Sequence, residues 1–169
     1  MGNLLFSPSG RIGPSAYMKG MIILGVISAV IALLPYLSVG LAMIANLIGL
    51  VLIIPLIFMS IKRAHDAGKS GWLSILAIVI MFGVSIVLGL LLTPLFAGAA
   101  GAADTAAMEA AAESGDLGAV MDAAGAVARA TAIPSAIASL IGYAATAFLF
   151  NMFNKQDMGD NQYGPVPMA

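Results

Sequence analysis

Two long runs without a charged residue, Val39–Ile61 and Trp72–Phe96, constrain the fold of this chain more than any other feature. A helix needs about 20 consecutive apolar residues to cross the hydrocarbon core of a bilayer, and both runs exceed that length. In lipid, every backbone polar group must find its partner inside the protein, so apolar runs of this length are helical. We therefore expect an integral membrane protein.

The composition agrees with a membrane protein and excludes several other classes. Of the 169 residues, 61% are hydrophobic and 9% are charged, whereas a soluble domain carries about 25% charged residues. The chain has no cysteine and one histidine, which argues against metal centres, and we expect no cofactor. The net charge of −1 and the lack of a basic patch with stacking aromatic residues argue against nucleic acid as a partner.

Four segments have the length and composition of a membrane span. They cover residues 17–34, 39–61, 72–96 and 133–153, and Pro134 stands where the first turn of the fourth helix is expected. Residues 35–38 link the first two spans, and so short a link requires an antiparallel hairpin. The predicted fold is an all-α, polytopic bundle of four transmembrane helices, forming a single domain over residues 1–169.

The positions of Lys and Arg predict the orientation of these spans, because basic residues concentrate on the cytoplasmic side. Six of the seven basic residues lie in the N-terminal tail, at the start of the first span, in the second loop or in the C-terminal tail. An even number of spans brings these parts to the same side, so we place both termini in the cytoplasm. The third loop, residues 97–132, then lies outside the membrane.

This third loop is rich in Ala and Gly and holds five acidic residues against a single basic residue, Arg129. Since Ala is the best helix former, residues 102–114 and 116–132 are predicted to form two short helices with a break at Gly115. Two interpretations stay open: a solvated helical insertion, or a docking surface for an extracytoplasmic partner.

Three polar segments share the predicted cytoplasmic face. The first, residues 6–13, contains Gly10-Arg11, and the third, residues 159–167, contains Gly159-Asp160-Asn161-Gln162-Tyr163-Gly164. The second segment, between two spans, reads Arg63-Ala64-His65-Asp66-Ala67-Gly68-Lys69-Ser70-Gly71-Trp72.

In these segments the chain resembles the bacterial inner-membrane family called "domain of unknown function 805". The resemblance implies a small multi-pass protein of the bacterial inner (plasma) membrane, and it implies no reaction. Two features depart from the family pattern. Gly13-Pro14-Ser15 stands where a basic residue often follows the first Arg, and the acidic loop is an insertion relative to shorter members.

Local structure alone accounts for much of the second segment. Arg63 and Lys62 stand three and four residues before Asp66, which are the spacings of helical ion pairs, although Arg11 is an alternative partner for Asp66. Gly68 is suited to end the helix in the left-handed conformation. Ser70 is suited to cap the third span, and Trp72 to lie at the membrane interface.

The functional hypothesis is a non-enzymatic membrane protein that uses this face to bind either anionic lipid headgroups or a partner, which is another membrane protein or a second copy of the chain. Basic residues next to an anionic membrane surface each contribute about 1 kcal/mol. The candidate binding residues are Arg11, Arg63, His65, Asp66, Lys69, Ser70, Trp72, Asn161 and Tyr163.

Two other functions were weighed. A small transporter or channel component would need a hydrated path between the spans, near Asn46, Thr93 and Tyr143, although no ionisable residue lies in the middle of a span. An enzyme is not expected, because His65-Asp66 lacks a complete triad with an oxyanion hole. The sequence Gly68-Lys69-Ser70 also lacks the earlier glycine of a phosphate-binding loop, so no catalytic residue is assigned.

Overall fold

The computed structural model describes the backbone of residues 7–167 and the side chains of residues 7–96 and 104–167. This part of the chain is helical and contains no β-strand. The α-helices are α1 (Pro14–Ala32), α2 (Val39–Val51), α3 (Ile53–Asp66), α4 (Ser74–Ser114) and α5 (Leu117–Phe153). Short 3-10 helices cover Leu34–Tyr36 and Gly71–Leu73.

Within residues 7–167, four helical segments are long and apolar enough to cross a membrane, as the sequence predicted. They are Pro14–Tyr36, Val39–Asp66, Gly71–Phe96 and Leu117–Phe153. The second consists of α2 and α3, which are separated at Leu52. Pro55 has no N–H to give to the carbonyl group four residues earlier, at Val51, and this missing hydrogen bond explains the interruption.

The predicted pair of short helices in residues 102–132 was wrong, because the two segments are the distal ends of α4 and α5. These helices have 41 and 37 residues, and at about 1.5 Å per residue both exceed the roughly 30 Å hydrocarbon core. The break at Gly115 is confirmed: its φ is 72°, and Asp116 Oδ1 accepts a 2.8 Å hydrogen bond from Gly118 N. Pro134 lies inside α5 and does not begin a helix, which corrects a second expectation.

The buried core lies towards the end of the bundle where residues 7–13 and 154–167 meet. The ring centroids of Tyr17 and Phe150 are 5.6 Å apart, and Met21 and Met59 are also fully buried. Ser60 donates to Leu56 O at 2.8 Å, so the Tyr17 hydroxyl, 3.0 Å from Ser60 Oγ, is the donor of that second bond. Helices α1, α3 and α5 are thereby joined at one level.

Helices α1 and α5 pack closely against each other at Gly25. A methyl group at this position would lie 3.2 Å from Tyr143 Cβ and 3.4 Å from Ser139 O. Small residues at such positions let the backbones of membrane helices pack directly on each other.

We predict that Gly25→Val destabilises the bundle by about 1–3 kcal/mol, because the added methyl groups overpack the α1–α5 contact. Gly83→Val is the matched control, since nothing lies within 4 Å of a methyl group placed there. Thermal unfolding in detergent measures both variants. Equal melting temperatures would contradict the close packing of α1 against α5.

Candidate functional site

The candidate site begins at the C-terminal end of α3, where Gly68 stops the helix. Gly68 has a φ of 68°, its N–H donates to His65 O at 3.0 Å, and Lys69 N donates to Ala64 O at 3.0 Å. These two bonds form a Schellman motif, which only a residue in the left-handed conformation permits. The expected role of Gly68 is confirmed, and the chain leaves α3 in a fixed direction.

The Asp66 carboxylate, on the last turn of α3, is shared by two guanidinium groups. Arg63 Nη1 donates to Asp66 Oδ2 at 2.8 Å, and Arg11 Nε donates to Asp66 Oδ1 at 3.2 Å. The three side chains are at most 1% exposed. Both pairings that the sequence offered for these arginines therefore form together, and we call Arg11, Asp66 and Arg63 the arginine–aspartate triad.

Arg11 connects the N-terminal segment to the end of α3 and to the C-terminal segment. Besides Asp66 Oδ1, it donates to Asp66 O at 3.5 Å and Asp157 O at 2.8 Å. It also donates to Gly159 O at 2.8 Å and Gly164 O at 3.0 Å. A guanidinium group has five N–H donors, and all five are engaged here.

Arg63 connects α3 to α5. Its Nε donates to Asn151 Oδ1 at 2.6 Å, and its Nη2 donates to the backbone carbonyl of Asn154. Asn151 Nδ2 also donates to Pro14 O at 3.2 Å, which adds the start of α1. One buried guanidinium group and one carboxamide therefore hold α1, α3 and α5 in register.

The C-terminal segment folds back over the end of α3. Asp157 N donates to Asp66 O at 2.8 Å, and Asn161 Nδ2 donates to His65 O at 3.0 Å. Asn161 and Gly164 exchange two backbone hydrogen bonds, so residues 161–164 form a tight turn. Asn161, a candidate binding residue, therefore holds the C-terminal segment against the end of α3.

His65 is held between the N-terminal and the C-terminal segments. Its ring lies parallel to that of Tyr163, with a centroid distance of 3.8 Å and an interplanar angle of 5°. His65 Nδ1 is 3.2 Å from Gly10 O, so Nδ1 carries the proton. Since both Asp66 oxygens serve arginines, His65 and Asp66 are not arranged as a catalytic pair.

Lys69, Ser70 and Trp72 occupy the rim of the cluster. Lys69 is exposed, and its Nζ donates to Phe153 O, at the end of α5, at 2.7 Å. Ser70 caps the 3-10 helix that leads into α4, which confirms its predicted capping role. Trp72 is 79% exposed and contributes little to the buried structure.

Sequence reasoning missed three residues at the end of α5: Asn151, Asn154 and Asp157. Asn154 is fully buried, and its Oδ1 has no hydrogen-bond partner within the described residues. The signal was a polar residue at every third position from 151 to 157, directly after an apolar span. Such spacing places the first two side chains on one face of a helix.

The polar residues assigned to a transport path line two neighbouring cavities at the other end of the bundle. Asn46 and Tyr143 line a cavity of about 590 Å³. Thr93 and Tyr143 line another of about 270 Å³. Among the described residues, no cluster of three His, Asp or Glu side chains is positioned to hold a metal ion.

Residues 5–165 match the family model described as "Protein of unknown function (DUF805)". The match covers nearly the whole chain and includes residues 6–13, residues 63–72 and residues 159–165 of the three polar segments that form the cluster. No curated protein and no solved structure matches the chain.

We predict that Asp66→Asn destabilises the fold by about 3–5 kcal/mol, because it leaves two buried guanidinium groups without a counter-charge. Asp122→Asn is the matched control, since it makes the same exchange at an exposed position of α5. The fluorescence of Trp72, the only tryptophan, follows thermal unfolding in detergent at the loop beside the triad. Equal melting temperatures for the two variants would show that the triad does not stabilise the fold.

Proposed function

This chain belongs to the DUF805 family, and we propose that it is a non-enzymatic integral protein of the bacterial inner membrane whose positively charged end binds anionic lipid headgroups. Residues 7–13, residues 154–167 and the arginine–aspartate triad lie at that end, which would face the cytoplasm. The observation that carries the proposal is that Lys19, Lys69 and Lys155 are exposed, whereas the side chains of Arg11 and Arg63 are buried in the cluster.

The distribution of charge supports this orientation. The end with the termini holds six of the seven basic residues and three of the eight acidic ones, a net charge of +3. The distal ends of α4 and α5 hold the other five acidic residues and Arg129, a net charge of −4. Basic residues concentrate on the cytoplasmic side of membrane proteins, where anionic lipids give the surface a negative potential.

The exposed lysines, and not the arginines, are the groups available to lipid. All five N–H donors of Arg11 are taken, and Arg63 is 1% exposed. The side chains of Lys19, Lys69 and Lys155 are exposed. A lysine on a flexible stem can meet a phosphate at the surface without leaving a buried group unpaired.

Trp72 supports a membrane interface at the level of these lysines. It is 79% exposed, and an exposed indole ring is favoured where hydrocarbon meets headgroups. Lys69 lies three residues before it, so one loop presents both an interfacial ring and a cation. The triad keeps this loop in a single conformation, which lowers the entropic cost of binding.

We predict that Trp72 reports preferential contact with anionic lipid. Bilayers of brominated phosphatidylglycerol and unlabelled phosphatidylcholine should quench Trp72 fluorescence strongly. Bilayers in which phosphatidylcholine carries the bromine and phosphatidylglycerol is unlabelled should quench it less. Lys69→Gln should lower the relative affinity about fivefold, the effect of about 1 kcal/mol. Arg129→Gln, a cation change at the opposite end, should leave it unchanged.

Equal quenching by the two lipids would contradict the lipid proposal. Native mass spectrometry of the protein extracted from its own membrane then tests the other hypothesis, that this face binds a partner protein. A stoichiometric protein or a second copy of the chain, bound without lipid, would identify a docking platform.

We predict that a fluorescent protein that folds only in the cytoplasm is bright when fused after Ala169. The same reporter inserted at Gly115, the turn between α4 and α5, should be dark, because the two sites are separated by one span. The pair of fusions is its own control for expression. A dark C-terminal fusion beside a bright one at Gly115 would reverse the orientation.

A further inference from the structure

A groove lies among α1, α2, α4 and α5, between the core and the acidic end of the bundle. Its volume is about 590 Å³, within the range of small-molecule sites, about 300–1,000 Å³. Its polar lining is Ser28, Asn46, Ser85, Thr131, Ser135, Ser139 and Tyr143. We call it the hydroxyl groove.

The chemistry of the hydroxyl groove is polar but uncharged. None of the described residues that line it is charged, and the rest of the lining is made of small or apolar side chains. A charged ligand would lose its hydration here without gaining a counter-charge, which is costly. The groove therefore favours a neutral ligand.

Three of the polar lining groups each use one donor on their own helix. Thr131 Oγ1 donates to Val127 O at 2.9 Å, and Ser139 Oγ donates to Ser135 O at 2.8 Å. Asn46 Nδ2 donates to Ala42 O at 3.2 Å.

The groups that remain for a ligand are of both kinds. Thr131 and Ser139 keep oxygen lone pairs, and Asn46 keeps its oxygen lone pairs and one N–H. Tyr143 and Ser28 are hydrogen-bonded to each other. This lining therefore suits an alcohol, which both donates and accepts a hydrogen bond.

Asn46 is the lining residue that most favours a ligand with a hydrogen-bonding headgroup. It is an exposed carboxamide seven residues into α2, or about 10 Å from the start of that helix. An amide oxygen in hydrocarbon without a partner is unfavourable. The end of a span is also the depth at which lipid headgroups meet acyl chains, so a lipid donor can reach it.

The groove is closed towards the arginine–aspartate triad. Tyr17, Met21, Met59 and Phe150 are fully buried between Tyr143 and the triad. The smaller cavity of about 270 Å³ shares Ser85, Ser139 and Tyr143 with the groove and follows α4 to Thr93. This shape suits a site entered from one end, and it does not provide a path along the whole bundle.

We propose that the hydroxyl groove binds the neutral, hydroxyl-bearing headgroup of a membrane lipid such as a diacylglycerol. The alcohol O–H donates to the oxygen atoms of Asn46 and the hydroxyl side chains. The acyl chains lie against exposed apolar residues of α2, including Met43, Leu47 and Leu50. A phosphate at this position is disfavoured, because none of the described lining residues carries a charge that would offset its own.

Native mass spectrometry of the full chain with three lipids of the same acyl chains tests this proposal. We expect diacylglycerol to bind better than phosphatidate, which is charged, and better than triacylglycerol, which has no donor. Asn46→Leu should weaken diacylglycerol binding about tenfold, the effect of one lost hydrogen bond. Thr131→Val, which keeps the shape and removes the hydroxyl, should also weaken it.

The matched control moves the amide by two residues. In the double variant Asn46→Leu with Ile48→Asn, the amide stands at an exposed position that is not part of the lining, and binding should stay weak. Lys69→Gln should leave diacylglycerol binding unchanged, which separates this site from the exposed lysines. Equal binding of the three lipids, or full binding by Asn46→Leu, would overturn the proposal.

Discussion

A single carboxylate shared by two arginines organises this molecule. Asp66 sits at the end of α3, Arg63 joins it to α5, and Arg11 joins it to both terminal segments. Breaking such a buried arrangement by removing one partner is far more costly than its net contribution to stability, because the remaining charges stay buried. The main effect of the triad is therefore on geometry. It connects three segments that are distant in sequence and holds them in one arrangement.

The same arrangement decides which groups at this end remain free for binding. Arg11 and Arg63 donate to groups inside the protein, among them the carbonyl groups of Asp66 and Asn154 at the ends of α3 and α5. Helix ends near a membrane need such donors, since lipid supplies none. The basic residues with exposed side chains at this end are Lys19, Lys69 and Lys155.

The sequence predicted the local features of this site better than its long-range ones. Spacing alone identified the Arg63–Asp66 pair, and residue chemistry identified Gly68 and Ser70 as helix-terminating and helix-capping residues. The roles of Asn151 and Asn154 depend on the packing of α5 against α3, which no local pattern encodes. The expected short helices failed for a different reason: an Ala-rich stretch has no signal that ends a helix before Gly115.

The two ends of the bundle differ in how their polar groups are satisfied. At the triad, polar side chains from distant segments bond to one another, and the neighbouring core is fully buried. Around the hydroxyl groove, Asn46, Thr131 and Ser139 bond to their own helices, and these three side chains form no bond between α2 and α5. The separation of α2 from α3 at Leu52 lets the two parts of the second span follow these different surroundings. A bundle that is locked at one end and held mainly by small and apolar contacts at the other retains an open groove without losing a defined fold.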